Sequence, residues 1–393
     1  MGSTLLAYTI LVLLLAGCSR YLPPVSEDHD SSTQADMLTA ILGTPDDRAE
    51  SVDPLILDDD LRRYIDDHVN DKWSVKTKIN ALRKLMFAPE NLNIKYDGSR
   101  TQTAMETFRA RRGNCLSMTN LYVAAARHMN VDAKYQVVAL KPTWEKTGTT
   151  MVRNDHINAV GRISGYEKYV VDFRPDVSFD ENNSHSIADS HALALYYTNL
   201  GAESIIEGHP DTAVRYFRSA LTISPEFADA WNNMGAALRR LGRSEQAEFS
   251  FQRAVTLDSG HYTAMNNLGH LYHERGDSRR ENRYLDMVKR YRSKHPYYLF
   301  FRGRKAYDQN DYQAAREYLR KAINRKRDDP EFYLALSHVY RQLGDQRQSD
   351  INMRKAVKYR EKIEQYNDEQ ELDLLIRKRS MSIRFKATRI PDR

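Results

Sequence analysis

Three residues of this chain have the types and the order that thiol chemistry needs. They are Cys115, His156 and Asp172, separated by 41 and 16 positions. A thiol is a poor nucleophile until it loses its proton. A histidine within reach takes that proton and holds the resulting ion pair. A carboxylate on the far ring nitrogen fixes the tautomer and the orientation of the imidazole. Cys115 follows Arg111-Arg112-Gly113-Asn114, where an extended segment gives way to a helix. A helix N-terminus offers unpaired N–H groups and positive potential, which favour thiolate. The backbone N–H of Cys115 is the natural first donor to an oxyanion. The sequence identifies no second donor. Cys115 also has no partner for an internal disulfide, because the other cysteine, Cys18, ends an apolar leader.

Rival readings of the same residues stay open. A free cysteine is often a small buried hydrophobe. His128 lies thirteen residues along the same helix, too far to serve Cys115, and His156 can simply end a strand. Asp155 and Asp176 compete with Asp172. Asp155 precedes His156 and points to the opposite face of the strand, and Asp176 follows Pro175 in a turn. Arg111 and Arg112 either raise the local potential or are solvated. No set of side chains has metal-ligand spacing, so neither a metal nor a cofactor is expected.

Placing the three groups requires a helix and then strands. From Pro54 to about Met129 the pattern is mainly helical. Leu61, Ile65, Val69 and Trp73 share one spacing, and Ile79, Leu82, Leu85 and Met86 another. Cys115 to His128 reads as a helix with Leu116, Leu121, Ala124 and Ala125 on or near one apolar side. Beyond Val131 the residues alternate or are β-rich over 133–138, 156–163 and 169–173, which predicts strands. Lys141 to Asn154 is polar and is expected to form a long hairpin loop. Antiparallel neighbours in such a sheet set His156 beside Asp172, facing the helix start across a cleft.

Gly-Asn-Cys at a helix start, His-Ile-Asn-Ala-Val in one strand and Val-Val-Asp-Phe in the next resemble the transglutaminase-like superfamily. The chain is similar, more narrowly, to bacterial transglutaminase-like proteins that carry tetratricopeptide repeats. The resemblance covers about 55–185. It implies a papain-like α+β fold, with Cys115 as nucleophile, His156 as base and acid, and Asp172 as the orienting carboxylate. The superfamily includes cross-linking acyltransferases, peptidases, amidases and inactive members, so the resemblance implies a mechanism more firmly than a substrate.

The second half repeats with a period of 34. Gly201, Gly235, Gly269, Gly303 and Ser337 form one series, and Ala220, Ala254, Val288, Ala322 and Ala356 a second. The third is Gly208, Gly242, Gly276, Asn310 and Gly344, residue types that tolerate the positive φ a chain adopts on leaving a helix. This period and pattern match the tetratricopeptide repeat. The match spans 194–361 as five repeats and predicts an all-α solenoid with a concave face. Glu281 stands where repeat three expects a small residue, which predicts loose packing there. A helix over 364–380 is expected to cap the stack. By the repeat phase the groove is lined by Asn232, Arg239, Arg240, Asn266, His270, His273, Phe300, Arg304, Tyr307, His338 and Arg341. Cations and amides with aromatic neighbours suit an acidic or extended peptide. A generic solvated face is the competing reading.

The domain plan is then a leader over 1–18, a tether over 19–53, the α+β domain over 54–187, the repeats, and a capping helix with basic tail over 362–393. The leader is apolar from Leu5 to Leu15, too short to span a bilayer comfortably. Its end, Leu15-Ala16-Gly17-Cys18-Ser19, resembles the bacterial lipoprotein signal. That resemblance implies cleavage before Cys18, lipid on its sulfur, and residence in the cell envelope at the periplasmic face of the outer membrane. An ordinary signal peptide is the alternative. With 41% hydrophobic residues and 393 positions the chain can bury two or three cores. A net charge of +6 from 59 basic and 53 acidic residues is mixed and does not point to nucleic acid. The expected function is an envelope lipoprotein whose thiol site acts on amide or peptide bonds, with a protein or peptide held in the repeat groove. The rival is an inactive scaffold recruiting envelope proteins.

Overall fold

The computed structural model describes residues 31–138, 144–147, 150–153, 156–165, 167–173 and 184–373. The leader with Cys18, the rivals Asp155 and Asp176, and the basic tail from 374 onward lie outside the described residues. The chain divides into two compact units, one running to Ala49 and resuming over Pro210–Val288, the other comprising Glu50–His209 and Lys289 onward.

Helix α1 (Ser31–Leu42) belongs to the first unit. The second unit begins with α2 (Asp59–His68) and α3 (Val75–Phe87), then β1 (Lys95–Tyr96), α4 (Ala104–Ala110), β2 (Arg112–Gly113) and α5 (Cys115–His128). Each helix of this run has a side chain that answers its first free amides. Asp58 caps α2, Ser74 caps α3, Asn114 caps α5, and Thr103 with Glu106 forms a reciprocal box at α4. Leu61 and Ile65 are buried as expected, but α2 ends before Trp73, which is exposed. Helix α5 is buried from Leu116 to Ala126 and is the core of the domain.

The sheet that packs on it is antiparallel, in the order β7 (Glu167–Val171), β6 (His156–Ser164), β3 (Lys134–Val138), β8 (Ser184–Ile187). Tyr135 hydrogen-bonds Asn120 of α5 at 2.8 Å, and the rings of Tyr169 and Phe173 pack on Tyr122 of α5. Two features differ from expectation. The polar segment over 141–154 is not only loop, since β4 (Trp144–Thr147) and β5 (Thr150–Arg153) pair within it. Strand β8 gives no hydrophobic alternation, because Ser184-His185-Ser186-Ile187 is an edge strand with little to bury.

Helix α6 (Asp189–Ile206) follows. The domain boundary expected at 187 to 194 falls at its first turns, so the first repeat helix starts five residues early. It is bound into the α+β domain. Arg127 of α5 grips Asp189 at 2.5 and 2.9 Å, and the Tyr197 hydroxyl joins Val52 and Glu50 at 2.9 and 3.0 Å.

The first unit resumes with α7 (Pro210–Ile223), α8 (Ala228–Arg240), α9 (Ser244–Leu257), α10 (Tyr262–Glu274) and α11 (Ser278–Lys294), whose last turns belong to the second unit. Here the tether reading over 19–53 is corrected for its described part. Residues 31–42 are helical, and Arg218 of α7 caps the C-terminal carbonyls of α1, with 2.8 Å from Nε to the Ile41 oxygen. Ala49 N–H is held by the Arg215 oxygen and Ser219 Oγ. In the second unit follow α12 (Pro296–Asp308), α13 (Tyr312–Arg325), α14 (Pro330–Gln342) and α15 (Gln346–Asp373). The described part of the cap expected over 364–380 is not a separate helix but the continuation of α15, which runs unbroken through 362. Gly208, Gly242, Gly276, Asn310 and Gly344 all have φ between 61° and 86°, the left-handed exit that their series predicts. Glu281 meets His273 at 3.1 Å, and α11 still buries Tyr284, Met287 and Val288, so the loose packing expected of repeat three is not what is found.

Candidate active site

Cys115 is the first residue of α5, and Gly113 is what lets the chain turn into it. A Cβ on Gly113 would stand 2.7 Å from the Ser117 Cβ, inside the first helical turn. Asn114 Oδ1 accepts from the Ser117 amide at 2.9 Å and from Ser117 Oγ at 2.9 Å. Ser117 Oγ in turn receives the Gln102 N–H at 2.8 Å, and Asn120 binds the Gln102 carbonyl at 3.0 Å. The first two turns of α5 are thus pinned to residues 100–102, and Cys115 remains half-buried with a free thiol.

His156 opens β6, opposite Val138 on β3, and Asp172 follows the last residue of β7. The sheet register therefore brings a residue 16 positions downstream to the same end of the sheet. His156 Nε2 lies 2.8 and 2.7 Å from the two oxygens of Asp172. The ring is 2 % exposed. Its Nδ1 is left free of Asp172, and the Cys115 side chain acts on the ring by hydrogen bonding and charge. Burial disfavours the imidazolium, but the hydrogen bonds to Asp172 and Cys115 and their charges outweigh it, and the ring is pushed up to about 9. All three residues singled out from the sequence are brought together, and His128 is elsewhere, bound to Asp66 at 2.8 Å.

Sequence reasoning passed over Asn158. Two residues beyond His156 on the same strand, it is fully buried and donates to Asp172 Oδ2 at 3.0 Å. The strand period of two was the available clue. The carboxylate is held from two sides, by a ring and by an amide, so its orientation is set independently of the ring it orients. Arg111 and Arg112 are exposed, and with Lys95, Tyr96 and Asp97 they border an open cavity of about 560 Å³.

The groove residues fall on first helices of the repeat pairs. Asn232, Arg239 and Arg240 are on α8, and Asn266, His270 and His273 on α10, all in the first unit. Phe300, Arg304 and Tyr307 are on α12, and His338 and Arg341 on α14, in the second. Asn232 is buried and engaged with Asn233 and Asn267 at 3.1 and 2.9 Å, so it serves packing between helices, whereas His273 is exposed and pairs with Glu281 at 3.1 Å. Phe300 packs on Phe332. Tyr307 accepts from Gln342 at 3.4 Å, whereas Arg304, His338 and Arg341 are exposed. Among the described residues no cluster of three or more His, Cys, Asp or Glu is placed to hold a metal ion.

Comparison with known proteins gives a matching reading of the two parts. The transglutaminase-like superfamily matches residues 67–197. Tetratricopeptide repeat families match 228–261, 290–346 and 330–363. No curated protein matches. Among solved structures the chain is similar to the MamA protein, with 19% identity over 44% of this chain and 95% of that one, at a TM-score of 0.24. It is similar to MamA from Desulfovibrio magneticus RS-1, with 17% identity over 44% and 97% and a TM-score of 0.25. A thermophilic TPR protein in Thermus thermophilus has 19% identity over 46% and 99%, with a TM-score of 0.25.

Proposed function

We infer that this chain, which carries a transglutaminase-like domain followed by tetratricopeptide repeats, is a thiol enzyme acting on amide or peptide bonds of a protein or peptide. The observation that supports this reading is the buried ring of His156, held by Asp172 and raised in pKa by both Asp172 and the Cys115 side chain. In that arrangement Cys115 attacks the carbonyl carbon of an amide. The new S–C bond forms as the C=O π pair moves onto oxygen; the oxyanion then collapses, the C–N bond breaks, and the imidazolium gives its proton to the leaving amine. An acyl-thioester results. Water or a second amine then attacks it, with His156 taking a proton and returning it to the sulfur. The oxyanion meets the N–H of Cys115, one of the first-turn amides that α5 leaves without an internal partner.

In this reading the repeats hold the protein substrate or a partner, with the exposed Arg304, His338 and Arg341 of the second unit meeting acidic or extended peptide. Cys18 is the lipid anchor that keeps the enzyme in a bacterial envelope, at the periplasmic face of the outer membrane. Two measurements test the proposal. A thiol-reactive amide analogue labels the wild type and fails to label Cys115→Ala; equal labelling of both would leave the chain a scaffold. Metabolic palmitate enters the wild type and not Cys18→Ala; incorporation into both would remove the anchor.

A further inference from the structure

Helix α6 carries an acid that the proposed chemistry does not use. Glu203 lies in the last turn of this helix, with which the repeat pattern begins. Its Oε1 accepts the backbone N–H of Thr101 at 2.8 Å. Thr101 is 4 % exposed, and its Oγ1 accepts from Asn114 Nδ2 at 2.8 Å. The other end of that same amide caps α5 through the Ser117 N–H. Four groups thus form one line from α6 to the cap beneath the sulfur: Glu203, Thr101, Asn114 and Ser117. Neither end of the Asn114 amide is free to turn while the line holds.

We propose that Glu203 is a positioning residue for Cys115: by holding Thr101 it fixes the cap from which the nucleophile's helix starts. The inference rests on Cys115 being the working thiol. A carboxylate is a costly choice for the half-buried acceptor of a backbone N–H, and an amide would serve packing as well. The charged groups that face it are Arg100, on the segment it holds, and Glu207, the residue that caps the end of its helix. Burial pushes its carboxyl up to about 7, against the Thr101 hydrogen bonds, which favour the ionised form. Ionised Glu203 grips the Thr101 N–H more tightly than the neutral acid does. The cap is therefore firmest above neutrality and relaxes as pH falls through about 7.

The test is the rate at which iodoacetamide alkylates Cys115 in the full chain, followed by mass spectrometry on the Cys115 peptide from about pH 5 to about pH 9, a range that brackets the Glu203 transition. The wild type should show a step near pH 7 that Glu203→Gln lacks, because the amide keeps an acceptor but cannot titrate. Thr101→Val should slow alkylation severalfold on the alkaline side of that step, and Thr101→Ser, which keeps the hydroxyl, should restore it. If Glu203→Gln does not fold, the Thr101 pair decides. Superimposable profiles for wild type and Glu203→Gln, or a wild-type rate in Thr101→Val, would overturn the inference. A wild-type Cys115 no more reactive than glutathione at every pH would instead overturn the thiol-enzyme reading, whatever the variants do.

Discussion

His156 is where a buried ring and a titrating ring are the same group. Burial opposes its charge, yet the hydrogen bonds to Asp172 and Cys115 carry it from the ordinary 6.5 up to about 9. A group raised on folding adds stability that is complete below its unfolded value and is lost as pH rises through its folded one. The site is thus tightest below about 6.5, and the pairing is gone above about 9. The same proton serves the leaving amine, so acylation by an amide substrate should fall on an alkaline limb near 9. Asp172→Asn removes one of the two charges that raise the ring, and the limb should move down toward neutrality. A pH profile of acyl-enzyme formation checks this, and an unmoved limb would mean that Asp172 does not set the ring. At this scale the sequence was legible for residues with distinctive chemistry. It was not for Asn158, Thr101 and Glu203, whose roles are hydrogen bonds across 14, 13 and 102 positions. Nothing local in a sequence announces such pairs.

Elements decide whether those residues meet, and β6 is the one with least slack. Gly161 lies against the loop before β3. A Cβ there would fall 1.8 Å from the Asp132 carbonyl oxygen, which also receives the Tyr169 hydroxyl at 2.6 Å. Backbone cannot give way as a flexible side chain can. Gly161→Ala should therefore cost about 3 kcal/mol or more, read from denaturant unfolding, and shift the strand that carries His156. A cost below about 1 kcal/mol would show that the strand has room. The strands with buried, β-branched residues were readable from alternation, and the helices from their spacing and caps. Strand β8 and the β4–β5 pair were not, since polar edge strands and hairpins within a long connection draw their order from partners rather than composition.

Across the whole molecule, chain order and spatial grouping part company. The segment ahead of the transglutaminase-like domain is built into the unit that holds α7 to α11. Arg218 is the main tie, with hydrogen bonds to Ile41 and Ala40 and an ion pair with Asp47 at 3.5 Å. Arg218→Met should release α1 at a cost of about 1.5–3 kcal/mol, the range for hydrogen bonds to a charged donor. Hydrogen exchange over residues 31–49 measures it, and unchanged protection would show that apolar contacts hold the helix alone. The 34-residue period made the repeats visible at once, because each repeat obeys the same local rule. The seating of residues 31–49 had no such rule, and the Asp, Ser and Pro content of 19–60 pointed to a tether. Helix α6 sets a practical limit on how this protein can be taken apart. Its early turns belong to the domain through Asp189 and Tyr197, its late turns through Glu203, and only at Gly208 does the chain leave it. A graft that exchanges these repeats for others must be spliced after Gly208. A splice at 188 would transplant, with the repeats, the floor on which the nucleophile's helix stands.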